Sequence, residues 1–146
     1  MRRLAIDAGM ARIGLAVSEG SLALPLEAVP NNEVALDEVL QAANSRVVSA
    51  IYVGLPISLS GGMTASSEMA IDFAKRLRTR TSLPIQLIDE RLTTKSAQAR
   101  LHQAGKKTKN SKSMIDAQSA ALILEFALAS ERGGELAGKS LEEFDV

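Results

Sequence analysis

Three acidic residues lie where the sequence pattern predicts the ends of regular elements. Asp7 ends the short run LAID, Glu90 follows the buried run LPIQLID, and Asp116 lies in the first turn of a predicted helix. Taken singly, each has an ordinary explanation as a turn residue, an ion-pair partner or a helix-dipole acid. Held together, three carboxylates repel one another unless cations lie between them. Two divalent ions roughly 4 Å apart would relieve that repulsion, activate a water and stabilise the leaving oxygen of a phosphodiester.

The available residue types restrict which metal such carboxylates would hold. The chain has no cysteine and a single histidine, His102, which excludes a thiolate-bound zinc and a poly-histidine site within one chain. Oxygen ligands favour Mg²⁺ or Mn²⁺. Asp89, next to Glu90, is expected either to support the ligands from behind or to face the other side of the sheet, as strand alternation suggests.

Basic residues concentrate directly after the acidic pair, although the net charge of the chain is zero. Such a run is usually a solvated loop, but this one leads directly into Asp116 and contains no acid, which favours binding of nucleic-acid phosphates. Contacts of this kind position a backbone without reading its sequence. Arg12 is equally well explained as a phosphate contact or as an exposed cation at a strand start. The predicted nucleic-acid contacts are Arg12, Arg91, Lys95, Lys106, Lys107, Lys109 and Lys112.

Hydrophobic periodicity predicts one α/β domain over residues 1–131, followed by a flexible acidic tail over 132–146. Pro25 places the third strand at an edge or a bulge, and Asn32 is a possible helix cap. In a sheet whose first and last strands are neighbours, Asp7 and Glu90 would lie side by side. Strands are predicted over 2–7, 12–20, 21–29, 49–56 and 83–89, and helices over 31–46, 63–80, from Thr93 or Thr94 onwards, and over 114–132.

Several classes of protein are disfavoured by composition. Aromatic residues are scarce, so base-stacking platforms of the single-strand-binding kind are not expected. The loop framed by Gly54, Pro56, Gly61 and Gly62 lacks the Lys-Ser/Thr ending of a nucleotide P-loop. The N-terminal apolar run is too short for a signal peptide and is interrupted by Asp7, and no segment has the length of a transmembrane helix. A cytoplasmic protein without membrane contacts is therefore predicted.

Four segments resemble a known family in order and spacing: IDAGMARIGLAVS, IYVGLP, DERLTT and IDAQSAALIL. From about Leu4 to Leu128 they are similar to the YqgF family, also called RuvX, of the RNase H-like superfamily. The resemblance implies an α/β fold with a mixed five-stranded sheet, its first three strands antiparallel, flanked by helices. It also implies a metal-dependent nuclease whose acids fall on Asp7, Glu90 and Asp116. The associated functions are maturation of the 5′ end of pre-16S ribosomal RNA and, by analogy, Holliday junction cleavage.

The chain departs from the family pattern at two places. The family usually has Lys-Arg before Ile-Gly, whereas this chain has Ala11 before Arg12. The loop after VGLP usually continues towards Asp-Gly-Thr-Glu, whereas this chain has Ser60, Gly61, Gly62 and Met63. All three acids are retained, so these changes bear on substrate preference rather than on the chemistry.

The favoured hypothesis is an endonuclease that acts on ribosomal RNA precursor, with Asp7 bridging two ions and Glu90 and Asp116 completing their coordination. Junction resolution is the alternative within the same chemistry, and it would require a symmetric dimer, so monomer and homodimer both stay open. A non-catalytic RNA-binding factor is disfavoured, because acids placed against phosphate reduce affinity unless a metal intervenes. An actin-like or sugar-kinase ATPase needs two such domains, for which 146 residues are too few.

Overall fold

The structure is a computed structural model that describes residues 1–93 and 112–144, with the side chains of residues 112–117 excepted. Within this part of the chain, six strands form one sheet in the order β3-β2-β1-β4-β5-β6. None of the described helices has the length and apolarity to cross a membrane. The strands are β1 (Arg2–Ala8), β2 (Arg12–Glu19), β3 (Leu22–Pro30), β4 (Val48–Leu55), β5 (Ile85–Asp89) and β6 (Lys139–Ser140). The helices are α1 (Ala35–Ser45), α2 (Ala65–Arg78), a 3-10 helix (Glu90–Leu92), α3 (Lys112–Ser130) and α4 (Leu141–Phe144).

Alternation along the strands gives the sheet two hydrophobic faces. In β1, Leu4 and Ile6 join the core that includes α1 and α2, whereas Ala5 joins the core under α3. Strands β1, β2 and β3 pair antiparallel, while β1, β4 and β5 pair parallel. The carboxyl ends of β1, β4 and β5 therefore meet at one edge of the sheet, which we call the carboxyl edge.

The predicted mixed sheet with its first three strands antiparallel is confirmed, with one short strand, β6, added at the far side. Strand β3 lies at an edge, as Pro25 indicated. The prediction that Asn32 caps the first helix is wrong, because α1 begins at Ala35 and Asn32 Oδ1 instead accepts a hydrogen bond from Val34 N at 3.0 Å. The helix predicted from Thr93 or Thr94 onwards falls on residues outside those described.

The segment after residue 131 differs from the loose tail expected from its composition. Residues 139–140 pair antiparallel with β5, and Leu141 is buried in the core under α1 and α2. Ala137 is buried on the opposite face, where its N–H donates to the Tyr52 hydroxyl at 3.0 Å and its carbonyl accepts from Gln86 Nε2 at 2.9 Å. A few apolar and backbone anchors thus hold an otherwise polar segment against the sheet.

A buried ion pair fastens the end of α3 to β1. Arg3 Nε donates to Glu131 Oε2 at 3.0 Å, and the two side chains are 8% and 18% exposed. Tyr52 on β4 donates its hydroxyl to the same oxygen at 2.5 Å. Burial and the bond to Glu131 raise the pKa of Tyr52 to about 12. Burial alone would raise the pKa of Glu131, but the hydrogen bonds from Arg3 and Tyr52 outweigh it and hold that pKa below its ordinary value.

Replacement of Glu131 by Ala should therefore lower the free energy of unfolding by about 3 kcal/mol, because it leaves the Arg3 guanidinium buried without its partner. Urea denaturation at neutral pH measures this loss. Asp72→Ala is the matched control, since it breaks an exposed ion pair to Arg76 within α2 and should cost less than about 0.5 kcal/mol. Equal losses in the two variants would contradict a structural role for the Glu131 network.

Candidate active site

Asp7 lies on β1, and Glu90 begins the 3-10 helix directly after β5. These two strands are not neighbours, contrary to the arrangement in which the first and last strands adjoin. Strand β4 lies between β1 and β5, which places those two strands about 10 Å apart. The two acids nevertheless lie on one face. Asp7 is two residues after Ala5, which packs under α3, so alternation places Asp7 on that face. Glu90 lies outside the strand, but its carboxyl group lies over Gly54 beneath α3. Both carboxylates are therefore on the α3 face of the sheet, at its carboxyl edge.

Gly54 on β4 provides the space that the Glu90 carboxyl group occupies. It lies two residues after Tyr52, on the α3 face, and pairs with Ile88 of β5. A Cβ atom at this position would lie 2.6 Å from Glu90 Oε2 and 2.5 Å from Ile123 Cδ1. The Glu90 carboxyl group thus lies directly over the glycine, with α3 above it, and only a residue without a side chain permits that approach.

The surroundings of Glu90 raise its pKa to about 8. Burial is the largest cause, because it disfavours the charged form, and the negative charge of Asp7 is the second, ahead of that of Asp89. At neutral pH the surroundings of the Glu90 carboxyl group therefore strongly favour the binding of a proton or a cation. A strongly perturbed acid beside another acid, at the edge where loops gather, is typical of a functional site.

Asp89 faces away from Asp7 and Glu90, and its carboxylate binds Arg91. Its carboxylate accepts hydrogen bonds from Arg91 Nε at 3.1 Å and Nη2 at 2.7 Å, and from the Arg91 backbone N–H at 2.9 Å. The Arg91 guanidinium, through these bonds, lowers the pKa of Asp89. This clamp fixes the 3-10 helix that carries Glu90, and it orients Arg91 towards the loop at Gly61, whose added Cβ would lie 3.6 Å from Arg91 Nη1.

The turn after Asp7 is braced by backbone and side-chain bonds. Gly9 N donates to Arg12 O at 2.9 Å, and a Cβ on Gly9 would lie only 2.7 Å from that oxygen. Asn31, at the end of β3, donates its Nδ2 to Gly9 O at 2.7 Å and its backbone N–H to Ala11 O at 3.0 Å. Strand alternation places Arg12, like Asp7, on the α3 face. The departure at Ala11 therefore lies in a tightly held turn beside the acid.

The third predicted ligand, Asp116, lies in α3, seven residues before Ile123. That is two helical turns, or about 10 Å, towards the carboxyl edge and on the same side of the helix. The sequence pattern predicted Asp116 in the first turn of its helix. Because α3 begins at Lys112, Asp116 is instead its fifth residue. Among the described side chains, no three acidic or histidine groups gather at one point. The side chain of Asp116 is not one of those described.

The structure describes the positions of some of the predicted basic contacts and not of others. Arg12 and Arg91 lie at the carboxyl edge, on either side of the acid pair. Lys112 is the first residue of α3, with its side chain undescribed, and Lys95, Lys106, Lys107 and Lys109 fall within the undescribed residues 94–111. Gly54 was predicted only to frame a loop, and its contact with the Glu90 carboxyl group was not foreseen. The available signal was a glycine inside an otherwise apolar strand, which marks a close approach of another group.

Comparison with known proteins gives consistent similarities. Residues 1–130 match the family model described as RuvX, Holliday junction resolvase. A protein from Clavibacter michiganensis subsp. michiganensis named "Putative pre-16S rRNA nuclease" is 44% identical over 89% of this chain and 84% of its own length. A protein of the same name from Rickettsia typhi is 41% identical over 86% of this chain and 83% of its own length.

A solved structure of T. thermophilus RuvC in complex with Holliday junction substrate aligns with a TM-score of 0.58. The match has 16% identity and covers 90% of this chain and 98% of that chain. A second structure of Thermus thermophilus RuvC aligns with a TM-score of 0.54 at 15% identity, over 96% of this chain and 99% of that one. At such identities the likeness shows the fold alone, which is RNase H-like.

The raised pKa of Glu90 predicts a specific pH dependence of stability. Folded Glu90 keeps its proton to about pH 8, whereas the unfolded chain releases it near pH 4.5. The folded state therefore binds more protons between these values, and its stability falls as the pH rises through this window. In chelator, Glu90→Gln should remove roughly 2 kcal/mol or more of that fall, measured by urea denaturation at pH 5 and pH 8. Glu68→Gln, at an exposed acid of α2, should keep the wild-type slope, and an equal slope in Glu90→Gln would contradict the assignment.

Gly54→Ala should destabilise the protein by about 1–3 kcal/mol, because the added methyl group overlaps Glu90 Oε2 and Ile123 Cδ1. Alanine would otherwise be at least as favourable as glycine within a strand. Gly62→Ala is the control: the nearest atom to its Cβ would be Ser58 Oγ at 3.3 Å, and the change should stay within about 0.5 kcal/mol. Thermal or urea unfolding of both variants decides the matter. A Gly54→Ala protein as stable as wild type would show that the carboxyl group is not confined over the glycine.

Proposed function

The chain belongs to the RuvX family, and from that premise we propose that it is a divalent-metal-dependent endonuclease that hydrolyses phosphodiester bonds during 5′-end processing of pre-16S ribosomal RNA. The observation that carries the proposal is the Glu90 carboxyl group held over Gly54 and near enough to Asp7 to feel its negative charge. Burial and that charge raise the pKa of Glu90 to about 8. Such an arrangement opposes folding unless a cation compensates for it, and a binding function gives a reason for keeping it.

The residues present fit Mg²⁺ or Mn²⁺. The described donors are carboxylate oxygens, which both ions prefer, and cysteine is absent from the chain. Asp7 and Glu90 would hold the ions, with Asp116 as the third ligand brought by α3. When bound, the ions supply an activated water for attack on phosphorus and stabilise the leaving oxygen.

The chain's other residues would hold and orient the substrate. Arg12, beside Asp7 on the α3 face, would bind a phosphate next to the scissile bond. Arg91 keeps an Asp89-fixed orientation at the other side of the acid pair, where it would bind a second phosphate. The basic residues Lys95, Lys106, Lys107, Lys109 and Lys112 would add salt-dependent affinity along the backbone. A nuclease that acts on ribosomal RNA precursor would work in the cytoplasm, as a monomer or a homodimer.

Junction resolution is a second candidate, favoured by the description of the matching family model. It uses the same carboxylates and differs in substrate and in the need for two paired sites. A non-catalytic RNA-binding factor is less well supported. Acids at the centre of a phosphate-binding surface would weaken binding, and Glu90 is held there at a cost in folding energy.

Cleavage assays with Asp7→Asn test the proposal. Wild type should cut a precursor RNA spanning the 5′ end of 16S ribosomal RNA in Mg²⁺ or Mn²⁺ and not in chelator. Asp7→Asn should lose more than about a hundredfold in rate, because it removes a ligand charge. Asp72→Asn, an exposed acid of α2, should retain the wild-type rate.

A four-way DNA junction assayed in parallel distinguishes the two candidate substrates. Faster cleavage of the RNA supports processing of the precursor, and faster cleavage of the junction supports resolution. If wild type cuts neither substrate under any metal condition and binds RNA as tightly as Asp7→Asn, the nuclease proposal fails.

A further inference from the structure

A cavity of about 460 Å³ opens at the side of the sheet beyond β5, and we call it the edge cavity. It opens where, among the described residues, no strand pairs with the outer side of the last part of β5, because β6 pairs with Gln86 and Leu87. Its volume lies in the range of sites for small molecules, roughly 300–1,000 Å³. Of its lining, the proposed function uses only Arg91, held by Asp89, as a phosphate contact.

The lining of the edge cavity is mainly apolar and includes two aromatic rings. Phe126 comes from α3 and Phe144 from α4, and both are half-buried. They are two of the three phenylalanines in the chain. Leu55, Ile57 and Leu92 complete the apolar wall. Although the chain is poor in aromatic residues, it therefore places most of its phenylalanines around one opening.

The edge cavity and the candidate active site lie at the same carboxyl edge of the sheet. Asp89 and Arg91, which flank Glu90 in sequence, both line the cavity, and so does Leu55, the residue after Gly54. A group that enters the cavity therefore lies at the same end of the strands as the acid pair. Exposed apolar residues lie at the same edge of the sheet: Leu92 is 62% exposed, and Leu59, in the loop after β4, is 89% exposed.

The charges around the opening suit a nucleotide. Arg91 and Lys139 line the cavity together with the Asp89 carboxylate, which binds Arg91, so the described lining is positive by one charge. A nucleic-acid strand has the complementary pattern, a flat apolar base between two phosphates. An apolar peptide would gain nothing from these cations, and it would have no reason to bind beside carboxylates that are set to hold metal.

We propose that the edge cavity receives an unpaired nucleobase of the substrate, next to the bond to be cut. The proposal rests on the nuclease function and specifies its substrate class: a strand with an unpaired or easily unstacked base at the cleavage point. Phe126 and Phe144 contact the base, since aromatic side chains stack with bases of any sequence. Arg91 and Lys139 bind the phosphates on its two sides. The site selects for structure rather than for sequence, and a continuous duplex binds without filling the cavity.

The test uses 2-aminopurine, a base analogue whose fluorescence rises when it leaves the stack. Asp7→Asn protein, which the proposed function expects to bind without cutting, is mixed with a four-way DNA junction that carries the analogue at its crossover positions. A precursor RNA hairpin carrying it at unpaired positions is used in parallel. We expect the fluorescence to rise on binding at one position in the preferred substrate. An abasic sugar at that position should weaken binding about tenfold, the usual contribution of one stacked base.

Two substitutions assign the signal to the cavity. Phe144→Ala and Leu92→Ser, each added to Asp7→Asn, should halve the fluorescence rise or reduce it further. Leu22→Ser is the matched control, because Leu22 is 63% exposed at the opposite end of the sheet, and it should leave the signal unchanged. Circular dichroism identifies any variant that fails to fold. If Phe144→Ala does so, Leu92→Ser still carries the test, since its side chain is mostly exposed.

The outcomes separate this proposal from the proposed function. A fluorescence rise that the cavity variants reduce, together with no cleavage by wild type under any metal condition, would overturn the nuclease assignment and support the cavity as a site for unpaired bases. Cleavage by wild type without a rise at any position, or with a rise unchanged in both cavity variants, would overturn the base site alone. Sedimentation velocity is measured on the same samples. If the cavity substitutions change the oligomeric state and not the fluorescence, the cavity binds a second copy of the chain, and the base site is again overturned.

Discussion

The structure depends on one unfavourable arrangement, a partly buried carboxyl group close to the charge of a second one. Asp7 on β1 and Glu90 directly after β5 come to one edge because the parallel strands end there, and Glu90 lies over β4 because Gly54 has no side chain. The cost appears as a Glu90 pKa of about 8. The neighbouring features reduce the freedom of these two groups: the Asp89–Arg91 clamp behind Glu90, and the Asn31 bonds to the turn behind Asp7.

A second buried carboxylate on the same face shows what a purely structural acid looks like. Glu131, at the end of α3, accepts hydrogen bonds from Arg3 and Tyr52, and its pKa is held below the ordinary value. Both Glu131 and Glu90 lie between α3 and the sheet, but their surroundings move their pKa values in opposite directions. Arg3 and Tyr52 stabilise the charged form of Glu131, whereas burial and the charge of Asp7 disfavour the charged form of Glu90. A strongly raised carboxyl pKa, as at Glu90, is typical of a functional site.

Much of this could be predicted from the sequence, because local signals determine local features. Apolar runs gave the strands, and acids directly after them indicated an unusual edge. The meeting of Asp7 with Glu90 across β4 could not be predicted from spacing, since strand order is a long-range property. The importance of Gly54 appears only when the carboxyl group above it is seen. The C-terminal segment has the glycines and acids of a loose tail, yet buried Ala137 and Leu141 anchor it to the sheet. Composition could not predict this, because it averages two buried residues with many polar ones.

The central claim is that Glu90 holds a proton that a divalent cation displaces, and the most direct test is the number of protons released on metal binding. Isothermal titration of Mg²⁺ or Mn²⁺ at pH 7, repeated in buffers with different ionisation enthalpies, gives that number. With a Glu90 pKa of about 8, the account predicts release of close to one proton per chain, and none in Glu90→Gln. Metal binding without proton release, or equal release in wild type and Glu90→Gln, would contradict it.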